Sequence, residues 1–158
     1  MERSGEIMFY GEYKHHIDKK GRIIIPSKLR EVAKENYVEN FFVTRGLDKC
    51  LFLFTQDEWR IQESRLKSLS FTRSEFRQFN RLFFSGACQV SCDAQGRVLI
   101  PNYLTEYAGI DKGVVMIGVS NRIELWSQNL WEEFYSKSMG SYEDIAEKLM
   151  DEGKGVTL

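Results

Sequence analysis

Proline, histidine and cysteine are scarce in this sequence, and each shortage limits what the chain can be. There are two prolines, two histidines and three cysteines in 158 residues. An odd number of cysteines in a chain of this length argues against a disulfide framework. A metal site made of Cys88, Cys92, His15 and His16 is the alternative, but no C-x-x-C or H-x-x-x-H spacing supports it. Buried, reduced thiols and no cofactor are therefore expected.

Long apolar runs and catalytic motifs are absent as well. No stretch approaches the roughly 18 apolar residues of a membrane span, and the N-terminal MERSGEIMFYGEY lacks the apolar centre of a signal peptide. The patterns G-x-x-x-x-G-K-[ST], H-E-x-x-H and G-x-S-x-G do not occur. We expect a cytoplasmic protein with no membrane partner and no enzymatic activity. The enzymatic alternative is a phosphate ester held at a Gly-Arg turn, with Glu12 near Arg22.

Neither sign of charge dominates the chain, since its net charge is −1. This balance argues against an indiscriminate nucleic-acid binder. The charges are nevertheless segregated: residues 14–30 carry six bases against one acid, residues 60–81 six bases against two acids, and residues 124–152 eight acids against two bases. Solvated helix faces account for the 60–81 block. The 14–30 block is harder to explain in that way, because most of its charge crowds one turn.

What the sequence does contain is an internal repeat. IDKKGRIIIP at 17–26 recurs as CDAQGRVLIP at 92–101, and both prolines of the chain occupy the same position of this motif. A second pair, GLDKCLFLFTQDEW at 46–59 and GVSNRIELWSQNLW at 118–131, repeats in the same order. The order indicates a duplicated unit of roughly 70 residues.

Each repeat begins with a predicted hairpin and helix. YGEYKHHI is a strand, D-x-x-G is a turn in which Asp accepts backbone N–H groups and Gly takes a left-handed position, and RIIIP is the returning strand. Ile23 and Ile25 share one face of that strand, and Arg22 and Ile24 the other. Pro26 ends the strand and opens a helix. Apolar residues at helical spacing mark this helix in both repeats: Leu29, Val32 and Ala33, then Leu104, Tyr107 and Ala108, with Gly109 ending the second.

The rest of each repeat is a second hairpin followed by helices. The hairpins are predicted around Leu47-Asp48 and Ser120-Asn121. Thr55 and Glu58 have the form of a capping box, in which Glu58 reaches back to the cap. Helices are predicted from Trp59 to about Leu69, from about Arg73 to Phe84, from Ser127, and near Tyr142 to Met150.

The predicted fold class is α+β, with the order β-β-α-β-β-α-α occurring twice. One unit is too small to bury much surface, so the two units are expected to complete a shared core about a pseudo-two-fold axis. The first unit spans residues 8–84 and the second residues 85–158. Residues 1–7 are expected to be a disordered N-terminal extension.

These residues resemble the MraZ family of bacterial transcriptional regulators. MFYGEYKHHIDKKGRIIIP is similar to the N-terminus of that family, the doubled D-x-x-G-R is its hallmark, and the resemblance runs from Met8 to about Met150. The family's units in turn resemble those of AbrB-type swapped-hairpin DNA-binding proteins, in which two chains interlock into one barrel. The resemblance implies that the two halves of this chain form such a barrel, flanked by helices.

The resemblance also implies a function and partners. A ring-shaped homo-oligomer would bind double-stranded promoter DNA carrying short repeated boxes upstream of the division and cell-wall gene cluster, and would repress that cluster. Association with the nucleoid would follow. The alternative is a homo-oligomeric assembly module without sequence preference, because 13% of the residues are aromatic and some of them could form subunit interfaces.

The predicted DNA-binding residues centre on the first turn. Arg22 offers a planar fork of donors suited to guanine, and Lys19 and Lys20 suit phosphates. Lys14 and His15 on the adjoining strand could extend the contact. Arg97 is the weaker candidate, because DAQGR contains no other base.

The same turn residues also have structural interpretations. Arg22 could pair only with Asp18 or with an acid of a neighbouring subunit, and Arg97 could be a hairpin brace. A structural role in the turns and helix starts is predicted for six further positions: Asp18, Gly21, Pro26, Asp93, Gly96 and Pro101.

Overall fold

The two repeats fold into the same sequence of elements. A computed structural model describes residues 7–35 and 40–152. The first repeat contains β1 (Phe9–His16), β2 (Arg22–Ile24), α1 (Ser27–Glu35), β3 (Asn40–Arg45), β4 (Leu51–Thr55), α2 (Gln56–Lys67) and α3 (Ser74–Ser85). The second contains β5 (Cys88–Ser91), β6 (Arg97–Leu99), α4 (Asn102–Ala108), β7 (Gly113–Ser120), β8 (Arg122–Ser127), α5 (Gln128–Met139) and α6 (Tyr142–Glu152). The predicted order is confirmed. The extension predicted for residues 1–7 lies outside the described residues, except for Ile7.

The strands of the two repeats interlock. A six-stranded sheet has the order β1-β7-β8-β4-β3-β5, and β2 pairs with β6 in a separate two-stranded ribbon. The first strand of each repeat pairs with the third strand of the other, and β4 pairs with β8 at the centre. Every pairing therefore has a counterpart in the other repeat, which confirms the swapped-hairpin architecture with a pseudo-two-fold axis.

The hairpin predicted at residues 10–26 is almost entirely opened out. Its turn forms, but a single bridge, Ile17 with Ile23, joins the two arms. The returning strand β2 pairs instead with β6, in the antiparallel register Arg22 with Leu99, Ile23 with Val98 and Ile24 with Arg97. The partner of the returning strand thus comes from the other repeat.

Burial explains why the strands exchange partners. Ile23, Ile25 and Val98 are fully buried, and Ile100 is 2% exposed. They belong to one core cluster with the inner faces of α1 and α4 and with apolar residues from β3, β4, β7 and β8. Burying an aliphatic side chain of this size stabilises a fold by about 1.5–3 kcal/mol. The core is continuous only when both repeats contribute to it.

A second, aromatic cluster fixes α2 and α3 against the sheet. Trp59 stacks on Phe42 with ring centroids 5.2 Å apart and on Phe83 at 5.4 Å. Phe54 is buried with them. Some of the aromatic residues that the sequence left open as interface residues therefore belong to a hydrophobic cluster within the chain.

Local turns and caps depart from prediction in small ways. Asp48 and Lys49, with φ of 67° and 60°, form the β3–β4 turn, one residue later than predicted. Thr55 Oγ1 accepts the Glu58 N–H at 3.2 Å, as a cap should. The Glu58 carboxylate does not reach back as predicted, because it accepts the side-chain amides of Gln62 and Asn121.

The cysteines are less uniformly buried than predicted. Cys50 is buried, whereas Cys88 and Cys92 are only half-buried, and all three are free thiols. Desolvation raises the pKa of both Cys50 and Cys92, which keeps these two groups as thiols rather than thiolates.

The chain divides into two compact units, Met1–Gln128 and Asn129–Leu158. All eight strands named above lie in the first unit. In the second, Trp131 stacks on Phe134 with centroids 5.7 Å apart, and α6 exposes Ile145 and Leu149. None of the described helices combines the length and the apolar character that crossing a membrane requires.

We predict that Gly21→Ala lowers the free energy of unfolding by about 1–2 kcal/mol, because Gly21 has a φ of 87° and an L-residue is strained there. An added Cβ would also lie 3.1 Å from the Ile100 carbonyl oxygen of the ribbon. Urea denaturation measures the loss. The matched control is Gly140→Ala, since a Cβ at Gly140 meets nothing within 4 Å. Equal stability of the two variants would contradict the assigned strain.

Candidate nucleic-acid interface

The first D-x-x-G-R turn is held together by one carboxylate. Asp18 Oδ1 accepts the backbone N–H groups of Lys20 and Arg22, each at 2.9 Å. Asp18 Oδ2 accepts Arg22 Nε–H at 2.7 Å. The Gly21 N–H donates to the Asp18 carbonyl at 3.0 Å, and Gly21 takes the predicted left-handed conformation. Asp18 therefore closes the turn and at the same time fixes the base of the Arg22 guanidinium.

The second turn repeats this geometry almost atom for atom. Asp93 Oδ1 accepts the N–H groups of Gln95 and Arg97 at 2.9 Å, and Asp93 Oδ2 accepts Arg97 Nε–H at 2.8 Å. Gly96 is left-handed, with a φ of 79°. The two turns, residues 18–21 and 93–96, are called tip 1 and tip 2 below. Although tip 2 has lost the lysines of tip 1, its arginine is held in the same way.

The pairing with aspartate leaves part of each arginine available. Arg22 uses Nε for Asp18, and Arg97 uses Nε for Asp93. Over residues 7–35 and 40–152, the terminal Nη1 and Nη2 groups of these two arginines make no hydrogen bond. Those two groups are the pair of donors that a guanidinium presents to a bidentate partner. The Arg22–Asp18 pairing, considered above as the alternative to DNA contact, thus exists without occupying the terminal groups of Arg22.

The β2–β6 ribbon sets the spacing of the tips. The Ile25 N–H donates to the Gly96 carbonyl and the Ile100 N–H to the Gly21 carbonyl, both at 2.9 Å. Tip 1 therefore adjoins one end of the ribbon and tip 2 the other, about 13 Å apart at the usual rise of a strand. In this register Arg22 and Arg97 are diagonal neighbours on one face, with Cα atoms about 7–8 Å apart.

The remaining predicted residues are distributed unevenly. Lys19 and Lys20 are exposed at tip 1. Lys14 is exposed on the outer face of β1, whereas His15 points to the opposite face and is half-buried. Because neighbouring residues of a strand face opposite ways, at most one of Lys14 and His15 can belong to a given surface. Pro26 is buried at the start of α1, and Pro101 occupies the same position before α4.

Arg30 is a cation of tip 2 that the sequence did not identify. Its Nε–H donates to the Ile25 carbonyl at 2.8 Å, and its guanidinium occupies the space that a side chain on Gly96 would need. The corresponding residue of the second repeat is Thr105, whose hydroxyl donates to the Asn102 carbonyl. Tip 2 therefore obtains from the first repeat a positive charge that its own Ala94 and Gln95 do not supply.

Each tip borders a cleft with further basic residues. The cleft beside tip 2 has a volume of about 490 Å³ and is lined by Arg30 and Lys34. The cleft beside tip 1 has about 530 Å³ and is lined by Lys112 and Asp111 as well as by Lys19 and Lys20 of the tip itself. The clearest signal for Arg30 and Lys34 in the sequence was their position in or next to the basic 14–30 block.

The tip carboxylates have lowered pKa values. The Arg22 backbone N–H, followed by its side chain and the Lys20 N–H, holds the pKa of Asp18 below its usual 3.8 against the opposing effect of desolvation. Arg97 and Gln95 do the same for Asp93. Folding therefore favours the ionised form of both carboxylates.

We predict that this contribution to stability is complete above about pH 5, and is lost as the pH falls through the folded pKa values below 3.8. The difference in unfolding free energy between the wild type and the double variant Asp18→Asn/Asp93→Asn should therefore shrink on acidification. Urea denaturation at a series of pH values measures it. A difference that stays constant down to pH ~2 would show that these carboxylates titrate alike in the folded and unfolded states.

Comparison with known proteins agrees with this architecture. The chain matches the family model described as "MraZ protein, putative antitoxin-like" twice, over residues 8–82 and 83–152. It is 51% identical over 144 residues to the transcriptional regulator MraZ of Carboxydothermus hydrogenoformans, covering 91% of this chain and 98% of that protein. It is 50% identical over 146 residues to the transcriptional regulator MraZ of Syntrophomonas wolfei, covering 92% and 99%. With two tandem matches and relatives of this similarity over nearly its whole length, the chain belongs to the MraZ family.

Proposed function

We propose that this protein is a transcriptional regulator that binds promoter DNA through tips 1 and 2 and represses transcription. The observation that carries the proposal is the pair of arginines, Arg22 and Arg97, each fixed at Nε by its own aspartate and placed diagonally on one face of the ribbon. The names of both relatives, as transcriptional regulators, support it. The protein would work in the cytoplasm, at the nucleoid.

The geometry suits base recognition in the major groove. The groove of B-DNA admits a two-stranded β-ribbon, and guanine presents O6 and N7 there as a pair of acceptors. A guanidinium that donates to an aspartate through Nε still has its terminal Nη1 and Nη2 groups to donate to these two acceptors. Because Asp18 already restricts the rotamers of Arg22, little side-chain entropy remains to be lost when the contact forms. Each bidentate contact discriminates against a wrong base by about 1–3 kcal/mol.

The charges around the tips suit phosphates. Lys19 and Lys20 are exposed beside Arg22, and Arg30 lies against Gly96 of tip 2. Cations of this kind set the orientation of a protein on a duplex without reading sequence. With a net charge of −1 for the whole chain, attraction to DNA depends on local clusters of cations such as this one.

A ring-shaped homo-oligomer would convert weak contacts into tight binding. A few cations in each chain hold a single short box weakly, whereas subunits on consecutive boxes act at a high effective concentration. Faces for such assembly are available: α3 exposes Phe79 and Leu82, and α6 exposes Ile145 and Leu149. The same faces suit the alternative, an assembly module that does not read DNA sequence.

We predict that Arg22→Ala folds normally and loses 5–150-fold of its affinity for a specific duplex, about the value of one bidentate contact. Arg22→Lys should lose the same discrimination while keeping non-specific binding, because lysine supplies the charge without the fork. Gel-shift titration with circular dichroism measures both effects. Arg65→Ala, an exposed arginine of α2, is the matched control. Wild-type affinity of Arg22→Ala would remove Arg22 from the site, and a lack of sequence preference in the wild type would favour the assembly module.

We predict that affinity rises at least 100-fold when a duplex carries several boxes in place of one, and that it falls steeply with salt. Inserting about half a helical turn between the boxes should abolish most of the gain, because consecutive boxes then face opposite sides of the duplex. Titration of duplexes that differ only in box number and spacing tests this. A single box that binds as tightly as several would refute avidity.

A further inference from the structure

Two exposed apolar residues lie beside the arginines of the ribbon. Ile24 is 41% exposed and Leu99 is 56% exposed, while Ile23 and Val98 on the inner face are fully buried. Isolated apolar residues are common on protein surfaces and need no explanation. These two, however, are related by the pseudo-two-fold axis, and neither packs into the core that its neighbours form.

The register places each of them directly opposite an arginine. Leu99 faces Arg22 and Ile24 faces Arg97 across the antiparallel pair. Residues directly opposite in such a pair have Cβ atoms about 4.5–5.5 Å apart and lie on the same face. The outer face of the ribbon therefore carries two equivalent couples, each made of one guanidinium and one branched aliphatic side chain.

This couple matches the chemistry of the major groove. Guanine presents O6 and N7 there, and thymine presents its C5-methyl group, which apolar side chains contact. Successive bases along a strand are about 3.4 Å apart. An arginine and an aliphatic residue whose Cβ atoms are about 5 Å apart can therefore reach a guanine and a thymine close to it.

A DNA duplex fits this face better than another protein does. The carboxylates nearest to the arginines, Asp18 and Asp93, belong to the same chain and already accept Nε–H. A protein partner would have to supply new acceptors for both forks as well as apolar contacts for Ile24 and Leu99. The major groove offers acceptors and methyl groups together, and the exposed Lys19 and Lys20 of tip 1 adjoin the same ribbon.

We propose that Leu99 and Ile24 are specificity-determining residues that contact thymine C5-methyl groups near the guanines read by Arg22 and Arg97. This inference rests on the proposed function. It adds that each box contains two thymines whose methyl groups, rather than their hydrogen-bonding edges, are recognised.

The test uses the full-length protein and a duplex enriched from a random pool by the wild type. Each thymine of that duplex is replaced in turn by deoxyuridine, which removes the methyl group and keeps the base pairing. We expect two positions, one for each side chain, at which affinity falls about fourfold, the equivalent of withdrawing one methyl group from an apolar contact. All other thymines should be insensitive.

Variants then assign each methyl group to a side chain. Leu99→Ala should bind the thymine and deoxyuridine forms of one sensitive position equally, and Ile24→Ala should do the same at the other. Both residues are exposed, so the fold should tolerate the change, which circular dichroism checks. Leu47→Ala is the matched control, because Leu47 is 61% exposed in the β3–β4 loop and should leave both sensitivities intact.

The possible results distinguish a failure of the proposed DNA binding from a failure of the inference about the thymine methyl groups. Failure to enrich any duplex would overturn the DNA-binding function itself. A tightly bound duplex with no methyl-sensitive thymine would overturn only the inference about Leu99 and Ile24. The same conclusion would follow if Leu99→Ala and Ile24→Ala kept the full sensitivity of the wild type.

Discussion

The reciprocal pairing of β2 with β6 is the constraint on which the rest of the molecule depends. Each strand has three residues, too few to be stable alone or in an isolated pair. The pairing becomes stable because Ile23, Ile25, Val98 and Ile100 bury their side chains in one core, and because the glycine of each tip lends its carbonyl to the other strand. The positions of both tips therefore depend on the two repeats together, and neither repeat alone could fix them.

The ion pairs at the tips mainly hold the arginine side chains in place and add little to the stability of the fold. Exposed ion pairs contribute only about 0–1 kcal/mol to stability, and the Arg22–Asp18 pair is partly exposed, with about a third of each side chain accessible. The larger effect of this pair is to hold the long Arg22 side chain against tip 1, the turn that the Asp18 carboxylate also closes. Two copies of this device, set by the ribbon at a fixed separation, give the surface a rigidity that a flexible basic loop lacks.

The sequence predicts the elements of the fold but not how the two repeats pair, and the reason is physical. The repeat, the order of elements and the alternation of Ile23 and Ile25 with Arg22 follow from periodicity, which depends on local geometry. The partner of β2 does not follow, because a three-residue strand alternates in the same way whichever strand it pairs with. The position of Arg30 beside tip 2 could not be predicted for a related reason. Its contact with Gly96 spans the two repeats, and only the interlocked fold brings these residues together.

The two tips differ in the source of their cations, and this difference has a consequence for the proposed binding of DNA. The arginines obey the pseudo-two-fold axis, but the flanking charges do not: tip 1 has Lys19 and Lys20 within its own turn, while tip 2 receives Arg30 from the opposite repeat. Symmetric base-reading groups alone would fit a duplex equally well in two orientations. In the proposed complex, unequal phosphate contacts at the two ends would remove that degeneracy, since such contacts fix orientation. On this proposal, a duplicated chain reads a box in one direction, whereas two identical interlocked chains would present the same contacts in both directions.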